Sequence, residues 1–373
     1  MTGERPAHPV ALAELGRSVY ESCEPRARGY VFGGAGAEDT MRANDEAFRS
    51  WRIVPRMLCD VSVRDLRTTV LGTDLPAPVA LAPIASQTIV HPDGELAVAR
   101  AAARVGVAMA ASTLSSFPLE EIAAAGAGPK WFQLYWPTDR ELAASFVSRA
   151  ETAGYGAVIV TVDVAAQGWK PRDLQHAYLP ILQGIGMANY TSDPVFRAML
   201  AAPPEDDPQA AIGAFVGQFP NPRLTWGDIE FLRSSTTLPI ALKGILHPDD
   251  ARLARDHGVD AVVVSNHGGR QLDGAIASLE ALPAIVDAVG GDLEVLLDSG
   301  IRGGADVVKA LALGADAVLL GRPYLWGLAA GGEEGVVTVI RSLLADFDLT
   351  LGLSGHVAPG ELGSGVLVRA GVR

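Results

Sequence analysis

From Pro78 onward the chain repeats one unit: a short apolar, often β-branched run, a loop, then an amphipathic stretch at helical spacing. Runs at 79–82, 107–111, 131–134, 157–162, 240–243, 261–265, 295–298 and 317–320 read as strands. Strands apolar on both faces are the parallel kind, covered by helices. Helical stretches at 91–105, 138–153, 248–257, 279–289 and 304–313 lie between them. Gly258-Val259-Asp260-Ala261-Val262 and Gly314-Ala315-Asp316-Ala317-Val318 repeat the step from helix end to strand, with Gly at the C-cap. About eight such units in series predict a closed (β/α)8 TIM barrel rather than an open sheet.

Two departures from the repeat set the domain organisation. Residues 1–75 precede the first unit and read as an N-terminal helical extension. In it, Leu12, Leu15, Val19 and Tyr20 fall at near-helical spacing, Tyr30-Val31-Phe32-Gly33-Gly34-Ala35-Gly36 breaks the chain, and 40–51 is a second amphipathic stretch. The barrel then occupies 76–355, with a tail at 356–373. After the fourth strand the next helix is delayed by a segment at 164–224, far longer than an ordinary loop. It leaves a strand's C-terminal end and carries Trp169, Tyr178, Tyr190, Phe196 and Phe215 as aromatic anchors, so it is placed to be a part-ordered lid.

Composition narrows the partners. Apolar residues make up 49%, enough for a large core. A net charge of −13 argues against nucleic acid and anionic membranes. Cys23 and Cys59 give neither a disulfide framework nor metal-ligand spacing, so no metal is expected. No signal peptide precedes the extension and no run approaches the length of a membrane span, so a cytoplasmic location is expected.

The strand ends carry the chemistry. Ala261-Val262-Val263-Val264 runs into Ser265-Asn266-His267-Gly268-Gly269-Arg270-Gln271-Leu272-Asp273. This puts a titratable imidazole and a guanidinium on the catalytic face of a barrel. His267 can take a proton near neutral pH, and Arg270 can grip a carboxylate with two parallel hydrogen bonds. A base three residues from a carboxylate clamp points to removing a proton from a small carboxylic acid. The other strand ends offer Ser112, Gln133 and Tyr135, Thr161 and Asp163, Lys243, and Asp298-Ser299-Gly300. Two Gly-rich turns, at 298–304 and at Gly321-Arg322-Pro323, each bring an Arg to a helix start, an arrangement suited to a phosphate. A phosphate grip beside a polar pocket suits a phosphorylated cofactor. Lys243 has two readings: a Schiff-base amine, or a fixed cation beside an electron-accepting ring.

The segment 265–273 closely resembles the signature of the FMN-dependent L-2-hydroxy acid oxidases and dehydrogenases. Ala82-Pro83, Phe132-Gln133-Leu134-Tyr135, Thr161-Val162-Asp163, Leu242-Lys243-Gly244 and Gly321-Arg322-Pro323 extend the likeness over nearly the whole chain. The resemblance implies FMN as cofactor, a small L-2-hydroxy acid and molecular oxygen as partners, and a homo-oligomer of tetrameric or larger size. It implies His267 as base, Asp163 as its stabiliser, and Tyr135 and Lys243 beside them as catalytic groups. Tyr30, Tyr135, Arg270 and Lys170 would bind substrate. Pro83, Ile84, Ala85, Ser112, Gln133, Thr161, Lys243 and Ser265 would line the flavin. Asp298, Ser299, Gly300, Ile301, Arg302, Gly321 and Arg322 would hold its ribityl chain and phosphate.

Within the family, the glycine-rich 30–36 segment, Gly168-Trp169-Lys170-Pro171-Arg172-Asp173-Leu174 and Asn189-Tyr190-Thr191-Ser192-Asp193-Pro194 are most similar to lactate 2-monooxygenase. That branch implies oxidation of a lactate-like acid with decarboxylation of the keto acid. The alternatives are a simple oxidase releasing hydrogen peroxide and, from another class, a lyase using Lys243 as a Schiff base. Two positions depart from the pattern. Lys170 stands where the family places a second Arg, which keeps the charge but loses the bidentate fork. Leu114 stands where relatives carry a bulky aromatic, and both changes are expected to open the pocket to a larger side chain.

Overall fold

The computed structural model describes residues 7–371. Residues 1–6 of the expected extension and 372–373 of the expected tail lie outside the described residues. Eight short strands pair in parallel in chain order: β1 (Val79–Leu81), β2 (Met109–Ser112), β3 (Lys130–Leu134), β4 (Val158–Thr161), β5 (Ile240–Ile245), β6 (Ala261–Val264), β7 (Glu294–Leu297) and β8 (Ala317–Leu320). β8 pairs back onto β1, with Val318 opposite Val79, and closes the barrel. The expected strands are all present, and so are helices Gly94–Val105, Arg140–Thr152, Pro248–Asp256, Ser278–Val289 and Gly304–Ala312. The strand ends differ because Ser265 and Asp298 lie just past the ladder, in the loops that carry the site.

Side chains on a strand alternate between faces. Here the inward row is Ala80, Ala108, Ala110, Trp131, Ala157, Ile159, Ala241, Ala261, Val263, Leu296, Ala317 and Leu319, a packed cluster of its own. The outward row, such as Val79, Met109, Phe132, Val158, Leu242 and Val262, packs under the surrounding helices. The inward row consists mostly of alanines around one large indole, Trp131. Its lower end is plugged by a hairpin the sequence reading missed, Thr68–Val70 with Thr73–Leu75. Val70, Leu71 and Leu75 join the inner cluster, and Trp131 Nε1 donates to Thr73 Oγ1 at 3.0 Å. The turn Leu71-Gly72 has φ of +49° and +66°, the left-handed pair that two-residue hairpins use.

The extension forms three helices, Leu12–Ser22, Pro25–Phe32 and Asp39–Arg49, and Trp51–Ile53 pairs antiparallel with Leu367–Arg369 of the tail. The segment expected to be a lid contains short helices: Pro171–Gln175, Ala188–Ser192, Pro194–Ala198 and Pro208–Gln218. Its anchors are Tyr190, fully buried against Phe146, Phe196 and Phe215 with ring centroids 4.8–5.3 Å away, and Tyr178. Asn189 hydrogen-bonds the carbonyls of Ser112 and Thr113, and Asp193 pairs with Arg149 at 2.9 Å. Trp169 is not an anchor: its side chain is 72% exposed, because residues 164–170 have no helix to turn it inward. Among the described residues no helix is long and apolar enough to cross a membrane.

Candidate active site

Each residue of the 265–273 segment has a structural task. Ser265 Oγ accepts from Lys243 Nζ at 2.9 Å and from the His267 main chain at 3.0 Å. Asn266 exchanges two hydrogen bonds with Asn44 of the extension, at 2.7 and 2.9 Å. His267, Gly268 and Gly269 all have positive φ, so the chain coils tightly and aims the imidazole back over the barrel. Gly269 must be glycine, since a Cβ there would lie 2.6 Å from the Met41 nitrogen. Gln271 donates to the carbonyls of Asp163 and Ala166, tying the start of the lid to the loop. Asp273 accepts from the main chains of Ala37 and Thr40 and so fastens the start of helix Asp39–Arg49.

His267 Nδ1 lies 2.9 Å from Asp163 Oδ1, and Nε2 lies 3.3 Å from the Tyr135 hydroxyl. Burial alone would push the Asp163 carboxyl up, but the charge and hydrogen bond of His267, with Lys243 beyond, hold it below its ordinary value. An ionised Asp163 fixes the proton on Nδ1 and leaves Nε2 as the basic nitrogen facing Tyr135. Burial raises the Tyr135 phenol well above its ordinary range, and Asp163 adds to that, so it stays a neutral hydrogen-bonding group. Gly244 has φ +111°, and a Cβ on it would fall 2.6 Å from Asp163 Cβ. The glycine after Lys243 therefore makes room for this carboxylate.

Beneath lies a polar layer that continues the inward row by the two-residue period. Ser112 Oγ donates to Gln133 Oε1 at 3.0 Å, and Gln133 Nε2 donates to Thr161 Oγ1 at 2.9 Å. Lys243 Nζ lies 3.0 Å from Asp298. Ser112, Gln133, Thr161 and Ser265 are buried and do not reach the open cavity; Lys243 and Asp298 do. Burial works against the Lys243 charge, but Asp298 and Asp163 outweigh it and raise its pKa. A held ammonium is the fixed cation of the second reading, not the free amine a Schiff base needs.

Pro83, Ile84, Ala85, Ser299, Gly300, Ile301, Arg302, Gly321 and Arg322 line one cavity with Tyr30, Tyr135, Lys243, His267 and Arg270. Arg322 has no carboxylate partner among the described residues; it donates to the carbonyls of Gly33 and Gly268. Arg270 also donates to the Gly33 carbonyl, at 2.7 Å. Burial, with Arg270 and Arg302 nearby, pulls Arg322 down to about 9. Arg302 is lowered by burial too, and Asp45 approaches it only to 3.7 Å. Three guanidiniums sharing one cavity with so little compensating charge call for an anion. Gly321, which opens the helix that starts at Arg322 and kinks at Gly331-Gly332, has open space where a Cβ would stand. The other helix start is less available than its sequence implied: Asp346 accepts from Gly304 N and Asp306 from Arg302 N. These residues fit a phosphorylated flavin, with the dianion drawn to Arg322, Arg302 and the open Gly321 turn.

A second cavity of about 450 Å³ opens above His267 and Arg270 under segment 164–224. Tyr30, Tyr135, Lys170 and Leu114 line it. The Arg270 guanidinium sits 4.9 Å over the Tyr30 ring. Burial and the nearby Arg270 lower the Lys170 ammonium to about 8. Arg172 cannot take its place, because its guanidinium is paired with Glu38 at 2.6 Å.

Sequence reasoning named Ser299 without its partners, and it missed Asp173. Ser299, at φ +75°, accepts from the Gly268 main chain at 2.9 Å and donates to Asp298. Asp173 is buried 3.6 Å from Arg270, with neither carboxylate oxygen hydrogen-bonded among the described residues, and burial raises its pKa. Its place one turn of chain after Lys170 was the available signal.

Comparison with known proteins points to one family. The family model described as FMN-dependent dehydrogenase matches residues 20–369. An L-lactate oxidase of Lysinibacillus sphaericus (strain C3-41) is 44% identical over 348 residues, 93% of this chain and 89% of the relative. A 4-hydroxymandelate oxidase of Amycolatopsis orientalis is 43% identical, covering 93% of this chain and 94% of the relative. A crystal structure of mandelate oxidase superposes with a TM-score of 0.86 at 41% identity, over 97% of this chain and 98% of the other. The chain belongs to the FMN-dependent dehydrogenase family.

Proposed function

We propose that this protein oxidises an L-2-hydroxy acid to the 2-keto acid, with oxygen as the final electron acceptor and His267 as the base. The observation that carries the reading is the run Asp163–His267–Tyr135 beside Arg270, over a cavity whose cations suit a flavin phosphate. The bound flavin supplies a two-electron acceptor that oxygen can re-oxidise. Arg270 binds the substrate carboxylate through nitrogens not tied to the Tyr30 and Gly33 carbonyls, and Lys170 and Tyr30 add contacts. Tyr135 orients the hydroxyl, and His267 Nε2 takes the proton released in oxidation. Asp163 stabilises the imidazolium that results. Lys243, held protonated by Asp298, supplies a fixed positive charge under the site.

A second reading adds decarboxylation. The keto acid and hydrogen peroxide would react before release, giving a carboxylic acid one carbon shorter, carbon dioxide and water. The ordered lid over His267 favours it, because it can keep both products together. Product analysis in air tests both. Keto acid with peroxide supports the oxidase, the shortened acid with carbon dioxide supports the second reading, and neither product would refute the proposal. Replacing His267 with Gln is expected to lower kcat by about 10²- to 10⁴-fold.

A further inference from the structure

Resting on that reading, we propose that the substrate side chain is large and apolar, an aryl or extended alkyl group rather than the methyl of lactate. Leu114, Leu179, Ile181, Phe215 and Phe219 would select it.

The cavity under the lid is divided by chemistry. Its hydrogen-bonding and charged groups include Tyr30, Tyr135, Lys170, His267 and Arg270, which suffice for the carboxylate and hydroxyl of a 2-hydroxy acid. The five proposed selectors line the same space and offer only hydrocarbon. At about 450 Å³ it is on the scale of cavities that take drug-sized ligands, far beyond a methyl group. The exposed face of the lid points the same way. Leu179 is 42% exposed and Val216 54%, so apolar area stands in water until something covers it.

The cavity cannot simply shrink around a small substrate. Phe215 packs edge-on against the buried Tyr190 at 4.8 Å and also touches Phe219, with centroids 5.9 Å apart. Asn189 ties this part of the lid to the strand-two loop through three hydrogen bonds. Leu114, on the inner wall, is held by its main chain to Ser112 Oγ at 3.1 Å. With both walls fixed, a methyl would leave most of the cavity unfilled and forgo the contacts a longer group makes. Burying a methylene is worth about fourfold in binding, so a group several carbons larger gains well over tenfold.

The test compares kcat/KM of the FMN-loaded enzyme for L-lactate, L-2-hydroxyoctanoate and L-3-phenyllactate. We expect at least one of the larger acids to exceed lactate about tenfold or more; which one does so separates alkyl from aryl. Lactate equal to or better than both would overturn this inference while leaving the oxidase reading intact. Turnover of none of the three would remove both. Leu114→Phe, which fills the inner wall, is expected to lower the phenyllactate-to-lactate ratio about tenfold. An unchanged ratio would contradict the selecting role of Leu114.

Discussion

At the scale of single residues, Lys170 makes the account testable by pH. Its ammonium is depressed to about 8 by burial and by Arg270, so the charge is present below that pH and lost above it. Substrate binding that uses this charge should weaken as pH rises, and kcat/KM should fall through about pH 8. Lys170→Arg keeps its charge throughout, so the alkaline fall should move up by more than a unit. An identical profile in the variant would show that Lys170 does not contact the substrate carboxylate. His267, Arg270 and Lys243 were legible in the sequence because their side-chain types announce chemistry and the Gly pair marks the loop. Asp173 was not, and Ser299 was legible only through the family resemblance. A carboxylate with no hydrogen bond and a serine in a left-handed turn gain meaning only from neighbours that are distant in the chain.

At the scale of elements, Gln133, Thr161 and Lys243 were readable as polar groups at strand ends, whereas their place as a buried layer continuing the inward Trp131, Ile159 and Ala241 came only with the fold. Loop geometry was less readable. Gly244 looked like part of a motif, but its reason is the 2.6 Å that a Cβ would leave to Asp163. Gly244→Ala should therefore displace Asp163 and cost roughly 10²-fold in kcat while FMN still binds, since a small misplacement at a catalytic group has effects of that order. Normal kcat in that variant would detach Asp163 from the mechanism. In the lid, aromatic content predicted order, but not which ring faces inward. Tyr190 is fully buried and its hydroxyl has no partner among the described residues. Tyr190→Phe should leave the thermal midpoint unchanged or raise it, because an unsatisfied buried hydroxyl is removed. Tyr190→Ala should destabilise by about 3–5 kcal/mol.

For the whole molecule, the barrel was legible and the way its ends are closed was not. The repeating unit dictates eight strands, whereas the hairpin plug and the pairing of Trp51–Ile53 with Leu367–Arg369 depend on contacts across the full chain length. The extension completes the site, since the carbonyls of Tyr30 and Gly33 hold Arg270 and Asn44 holds Asn266. Asp273→Ala removes both hydrogen bonds at the start of helix Asp39–Arg49 and should cost about 1–2 kcal/mol of stability. Arg322→Gln should weaken FMN binding at least about tenfold, the range expected for losing one charge-assisted contact. The most direct measurement of the central claim is the visible spectrum of the FMN-loaded protein, taken without oxygen before and after adding an L-2-hydroxy acid. The flavin bands should bleach with the wild type and persist over the same interval with His267→Gln. Bands that persist in the wild type with lactate, 2-hydroxyoctanoate and phenyllactate alike, yet bleach with a chemical reductant, would contradict that claim.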